Sequence, residues 1–112
     1  MIVNNRKVIS NDEKYCKNFF SQGLGLMFSK KRNLVMVFGS EMKIRLHNWF
    51  VFFPIDVLVL DSDKRIVEIK RNFRPFTFWN SEKKGKYVVE LGFIGEYKEG
   101  DLLEFNHKEV VE

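Results

Sequence analysis

Apolar and polar residues alternate along most of this chain, and one apolar run sets its frame: Phe50-Val-Phe-Phe-Pro-Ile-Asp-Val-Leu-Val-Leu-Asp61. Val57 and Val59 point to one face of a strand, Leu58 and Leu60 to the other. Both faces are apolar, which predicts a strand covered on both sides, as in a sandwich or closed barrel. A helix would fit the run less well. Its β-branched content is high, and Asp61-Ser-Asp-Lys64 stops it early. Pro54 lacks a backbone donor and belongs at the strand's start or at a bulge. The partner strand is 65–71, with Val67 and Ile69 on one face and Ile66, Glu68 and Lys70 on the other. The turn at 61–64 makes the pair a hairpin.

The same pattern predicts a short first strand at 6–9. Ser10-Asn-Asp-Glu13 then has the form of a capping box, and Tyr15, Phe19 and Phe20 follow at helical spacing. A short N-terminal helix packed on the sheet is therefore expected, ended by Gly23 and Gly25. Strands follow at 34–38, closed by Gly39-Ser40, and at 42–46, where Met42, Ile44 and Leu46 alternate with Lys43 and Arg45. Pro75 and Gly85 predict a long loop after Arg71. Residues 87–91 form a strand ended by Gly92, and 93–99 read as a short turn of helix. Gly100-Asp101 is a turn and 102–105 a last strand. The expected fold is mainly β: one compact β-sandwich or barrel-like domain over 1–112, with its core at about 6–105 and a polar tail at 106–112.

Composition supports a core without staples: 45% of the 112 residues are hydrophobic, including 12 Phe. The single cysteine, Cys16, excludes an internal disulfide and a cysteine-based zinc site, and two histidines, His47 and His107, argue against a histidine site. Cys16 has no adjacent base and reads as a small buried hydrophobe. No signal-peptide pattern and no membrane-length apolar run occurs, so a cytoplasmic protein with no membrane partner is expected. The net charge of +4 is uneven. Residues 1–89 carry 17 Lys/Arg against 8 Asp/Glu, and residues 90–112 carry 2 against 7. The acidic end folding back over a basic surface accounts for this, and so does a cationic face for a polyanion. The first is the plainer reading, because charge balance bears on solubility before specific function.

Candidate chemistry is sparse. Asp56 lies inside the apolar run, where a carboxylate needs hydrogen bonds or a cation. Its plainer role is to accept backbone N–H bonds at a bulge or loop. Its functional role would be at the mouth of a cleft. Glu90, on another strand, could join it as an acid/base pair, with His47 nearby. The stretch 73–79 mixes Phe73, Phe76, Phe78 and Trp79 with Arg71 and Arg74. Such a mixture stacks bases or sugars, or pins a loop to its own core.

The order of short motifs is familiar. Gly25-Leu-Met-Phe28, Met36-Val-Phe38, Pro54-Ile-Asp-Val with Leu60-Asp61, Tyr87-Val-Val-Glu-Leu91 and Gly100-Asp101 together resemble the uncharacterised protein family 0127, the domain-of-unknown-function 192 family. The resemblance spans about residues 10–105. It implies a compact all-β sandwich or barrel-like domain with little helix, and it supplies no activity. The matching motif positions are Gly25, Leu26, Met27, Pro54, Asp56, Glu90, Gly100 and Asp101. Many bacterial members carry Trp-Met-x-Asn-Thr before the Pro-Leu-Asp motif. Here those positions read His47-Asn-Trp-Phe-Val51, which is similar to the short archaeal members.

Function is thus unknown at this level, and the expectation is a non-enzymatic binding module. A cleft lined by Met27, His47, Trp49, Asp56, Trp79 and Glu90 would take a small molecule or peptide. Met27 and Trp49 also serve as plain core residues in an aromatic-rich domain. An alternative is RNA or single-stranded nucleic acid binding through Lys30, Lys31, Arg32, Arg71, Arg74 and Phe78. A carboxylate enzyme using Asp56 and Glu90 is the third. The partner would be a small ligand or a protein, with nucleic acid as the alternative. No motif calls for a cofactor or a metal, and phosphate loops and nucleophile signatures do not occur.

Overall fold

The computed structural model describes residues 1–10, 13–16, 33–47, 54–75, 77–92 and 95–106, with the side chains of 13–16 and 47 outside that description. The described residues form eight strands in chain order: β1 (Ile2–Asn4), β2 (Lys7–Ser10), β3 (Glu13–Cys16), β4 (Asn33–His47), β5 (Ile55–Leu60), β6 (Ile66–Phe73), β7 (Phe78–Leu91) and β8 (Leu103–Glu104). A three-stranded sheet runs β2-β1-β8, and a five-stranded sheet runs β3-β4-β7-β5-β6. All pairs are antiparallel except β3 with β4. Among the described residues, no helix is long and apolar enough to cross a membrane.

The predicted hairpin is the heart of the larger sheet. Pro54 precedes β5, where its missing donor breaks no ladder bond. The turn is built by Asp61. Its carboxylate accepts the Asp63 and Arg65 N–H groups at 2.9 and 3.0 Å, while Lys64 takes a left-handed φ of 67°. Strand β5 is buried on both faces, as its double apolar pattern predicts. Leu58 and Leu60 enter one core with Ile2, Val35, Val89, Leu91 and Leu103, between the two sheets. Val57 and Val59 enter a second core with Leu34, Met36, Ile44, Ile55, Phe73 and Val88, on the other face of the large sheet.

Local signals fail where tertiary pairing overrides them. The N-terminal helix expected after Ser10 is not found: Glu13–Cys16 is strand β3, pairing in parallel with Asn33 to Met36. The rest of the predicted helix lies outside the described residues. Ser10 does not open a helix at Glu13–Cys16. It is buried, and its hydroxyl accepts a 2.8 Å bond from Asn33 Nδ2. Gly39-Ser40 does not end a strand either. The two predicted strands are one, β4, which bulges there: five steps from Val37 to Met42 face two steps from Tyr87 to Gly85. In β6 a bulge beside Val67 puts Ile66 opposite Leu60 and Ile69 opposite Leu58. The predicted alternation is therefore broken, and Ile66 and Ile69 share the first core. The expected helical turn at 93–99 is absent from its described part, 95–99.

The long loop predicted after Arg71 is also overturned. Strand β6 continues to Phe73, and β7 begins at Phe78 and runs through Gly85 to Leu91. The polar stretch 80–84 survives as strand because its bulge is satisfied by side chains. Ser81 Oγ accepts the Ile44 N–H at 2.8 Å and donates to the Lys83 carbonyl at 2.7 Å. The Glu68 carboxylate accepts the Glu82 and Lys83 N–H groups at 2.8–3.1 Å. Gly85 is a close-approach residue rather than a turn. A Cβ there would lie 2.3 Å from Val59 Cγ1 and 3.1 Å from the Leu60 carbonyl oxygen. Val59 is fully buried and β-branched, so it has no free rotamer to retreat to. Gly85→Ala is therefore expected to lower unfolding stability by about 1–3 kcal/mol, measured by urea unfolding. An unchanged midpoint would show that the β5–β7 contact relaxes freely.

Candidate functional site

Asp56 sits at a second bulge of the hairpin. Between the Ile55–Phe73 and Val57–Lys70 pairs, Asp56 faces both Arg71 and Asn72. Asn72 adopts a left-handed φ of 52° and gives its N–H to Asp56 Oδ1 at 2.9 Å. Asp56 Oδ2 accepts from the Tyr97 hydroxyl and pairs with Arg71 Nη1 at 3.4 Å. Arg71 also donates to the Tyr97 carbonyl at 2.8 Å, and its guanidinium lies 4.7 Å from the Tyr97 ring centre. Burial pushes the Tyr97 hydroxyl well above its usual range, helped by the bond and charge of Asp56 and opposed by Arg71. This triad ties the segment carrying Tyr97 to the hairpin.

Beyond Tyr97 a cleft of about 230 Å³ opens between the β1–β2 turn and the segment 96–101. Its lining is Asn4, Asn5, Lys7, Glu96, Tyr97, Lys98 and Asp101. The turn forms because Asn5 and Arg6 both take positive φ, 51° and 65°, the geometry of a tight two-residue hairpin. It places Asn4 with its Nδ2 donating to the Glu96 carbonyl at 3.1 Å and to Asp101 Oδ2 at 2.8 Å. Asp101 Oδ2 also accepts the Lys98 N–H at 3.0 Å. Asn4 is buried, and among the described residues its Oδ1 has no hydrogen-bond donor. At the rim, Lys7 and Glu96 form an exposed 2.8 Å ion pair.

Glu90 lies on the opposite face of the large sheet from Asp56. The register pairs Asp56 with Leu91 and sets Glu90 between Leu34 and Val57. Directly opposed residues share a face, so Glu90 belongs with the second core and Asp56 with the first. The sheet thus separates the two carboxylates, and they do not form an acid/base pair. Glu90 is buried, and burial alone raises its pKa from the ordinary 4.5 to about 7. No metal-ligating cluster of His, Cys, Asp or Glu occurs among the described residues.

The remaining expected site residues do not converge on one cleft. Trp79 packs against the second core, away from the Asn4 cleft. Arg71 is engaged by Asp56 and Tyr97. Arg74 is exposed, its carbonyl accepting the Thr77 hydroxyl at 2.6 Å. Phe78 is 70% exposed. His47 ends β4, opposite Phe78 in register. Met27, Trp49, Lys30, Lys31 and Arg32 lie outside the described residues. Asn4 and Tyr97 were not singled out from the sequence. No periodicity marks either one; the only available signal was a tyrosine just before the Gly100-Asp101 turn, and its burial is set by the fold.

The family model for DUF192, described as an uncharacterised ACR, matches residues 2–104. The chain belongs to the DUF192 family. Among DUF192 relatives, the UPF0127 protein PF1050 of Pyrococcus furiosus is 34% identical, the match covering 93% of this chain and 95% of that protein. PH1112 of Pyrococcus horikoshii is 33% identical, covering 80% of this chain and 82% of that protein. TK1120 of Thermococcus kodakarensis is 30% identical, covering 97% of this chain and 75% of that protein. The fold is similar to a crystal structure of a candidate transcription regulator from Sinorhizobium meliloti 1021. That match has a TM-score of 0.73 at 23% identity, over 82% of this chain and 79% of that one. A protein of unknown function from Novosphingobium aromaticivorans matches with a TM-score of 0.70 at 19% identity, over 83% of this chain and 74% of that one. At these identities the solved structures support the fold alone. The function of this DUF192 member is unknown, in keeping with an uncharacterised family.

Glu90 gives a pH signature. An acid whose pKa rises on folding binds more protons folded than unfolded. Its contribution to stability therefore falls as pH climbs from about 4.5 to about 7, then levels off. The stability difference between Glu90→Gln and the parent protein is expected to grow by roughly 3 kcal/mol across that window in favour of the variant. Urea unfolding of both at pH 5 and pH 8 measures it. A difference independent of pH would mean that Glu90 titrates like an exposed glutamate.

Proposed function

We propose that this protein is a non-enzymatic binding module that takes a small polar molecule in the cleft between the β1–β2 turn and the segment 96–101. The observation that supports this most is the amide of Asn4. Two acceptors, the Glu96 carbonyl and the Asp101 carboxylate, require the nitrogen to face them. That orientation leaves Oδ1 buried without a donor, at a cost of about 1–3 kcal/mol. A ligand N–H or O–H that displaces the cover over Oδ1 from the cleft side relieves that cost. The lining carries Lys7 and Lys98 against Glu96 and Asp101. This balance favours a neutral or zwitterionic ligand over a strongly charged one. The cleft's size suits a single small metabolite better than a peptide. The separation of Asp56 from Glu90 by the sheet speaks against the carboxylate-enzyme reading.

Native mass spectrometry of protein purified gently from its host tests the proposal. A discrete added mass is expected on the parent chain and is expected to be lost in Asn4→Ala. Because Asn4→Ala also frees Asp101, Lys7→Gln provides a variant that keeps the fold, since an exposed ion pair contributes little. It is expected to melt like the parent and to hold the ligand more weakly. A clean apo mass, with no rise in melting temperature against a panel of neutral and zwitterionic metabolites, would overturn the proposal.

A further inference from the structure

The far half of the β4–β7 ribbon presents a face that neither core uses. Ile44, Leu46 and Trp79 turn toward the second core. The alternate positions Lys43 and Arg45 are exposed on the other side. The register places Lys84 opposite Lys43, Asn80 opposite Arg45 and Phe78 opposite His47. Directly opposed residues lie on the same face. Lys43, Arg45, Lys84, Asn80 and the 70% exposed residue Phe78 therefore share one surface. Residues two apart on a strand repeat about every 6.8 Å, so the cations form a row rather than a point.

Fold stability does not account for this row. Like charges directly across a ladder repel, and Lys43 faces Lys84. Among the described residues, none of the three cations has a carboxylate partner. Lys43 Nζ is held by the Glu82 backbone carbonyl at 2.5 Å, not by its carboxylate. The Glu41 carboxylate is turned to Ser62, whose N–H and hydroxyl it accepts at 2.9 Å. The Glu68 carboxylate is occupied by the Glu82 and Lys83 N–H groups.

We infer that this ribbon face binds single-stranded nucleic acid. Lys43, Arg45 and Lys84 contact successive phosphates, Phe78 offers a ring to an unpaired base, and Asn80 supplies amide donors and acceptors between them. An exposed aromatic beside a cationic row favours a single strand over a duplex, whose bases are already stacked. The site is independent of the Asn4 cleft, which shares none of these residues. It also differs from the expected set: Arg71 is engaged elsewhere, and the new members are Lys43, Arg45, Asn80 and Lys84.

Fluorescence anisotropy with a labelled oligouridine and a duplex of equal length, from 20 to 200 mM KCl, tests the inference. Three phosphate contacts to a single strand predict a slope of about −2 for log K against log salt. Lys43→Gln/Arg45→Gln/Lys84→Gln is expected to flatten that slope without lowering the melting temperature, since it removes a repulsive pair. Phe78→Ala is expected to weaken oligouridine binding by about 5- to 100-fold with the slope unchanged. Four outcomes would overturn the inference. The first is no binding at low salt. The second is preference for the duplex. The third is equal binding of phosphatidylserine vesicles with no effect of Phe78→Ala. The fourth is loss of binding in Lys30→Gln/Lys31→Gln/Arg32→Gln but not in the ribbon variant.

Discussion

Strand β7 hydrogen-bonds β4 along one edge and β5 along the other, while its residues from Tyr87 to Leu91 are buried on both faces. Everything else in the structure depends on that double burial. A strand in this position has no solvent side, so any polar residue in it must commit to one core or the other. Glu90 commits to the second core and Asp56, on the neighbouring β5, to the first. The same constraint makes Gly85 necessary, since β5 approaches β7 too closely there for a side chain. It also gives the fold two cores from a single sheet, one closed by the small sheet and one gathered beneath the bent β4–β7 ribbon.

Much of this was legible in the sequence where pattern and burial agree. Strand β5 with apolar residues on both faces, Pro54 at its start, the Asp61 turn and the strand ending at Leu91 all follow from alternation and turn chemistry. The misreadings share one cause. At Ser10, Gly39 and Gly85 a local signal normally marks a cap, a strand end or a turn. A tertiary partner fixed each segment instead: β4 for β3, a bulge in β4, and Val59 against Gly85. Bulges were invisible because an extra residue leaves composition unchanged while resetting the alternation, as at Val67.

The candidate sites were less legible than the fold. Asp56 stood out as a carboxylate in an apolar run, and it is satisfied locally by Asn72, Tyr97 and Arg71. The cleft beside it depends on Asn4, whose burial arises from residues more than ninety positions away, Glu96 and Asp101. No window of sequence contains that relation. The charged ribbon face was half visible: the alternation of Lys43 and Arg45 with Ile44 and Leu46 could be read, but not the register that brings Lys84 and Phe78 beside them.

The small sheet joins the two ends of the described chain, with Val3 opposite Glu104 and Asn4 opposite Leu103. Among the described strands, β1 leads the chain order and β8, which completes its sheet, closes it. Until residues 103–104 are made, the β1–β2 hairpin has nothing along its second edge. Phe105 and Leu103 are also missing from the first core until then. A two-stranded ribbon of this length is marginal in water on its own. A nascent chain therefore carries an unfinished apolar face from the time β1 and β2 are made until β8 is made, about a hundred residues later.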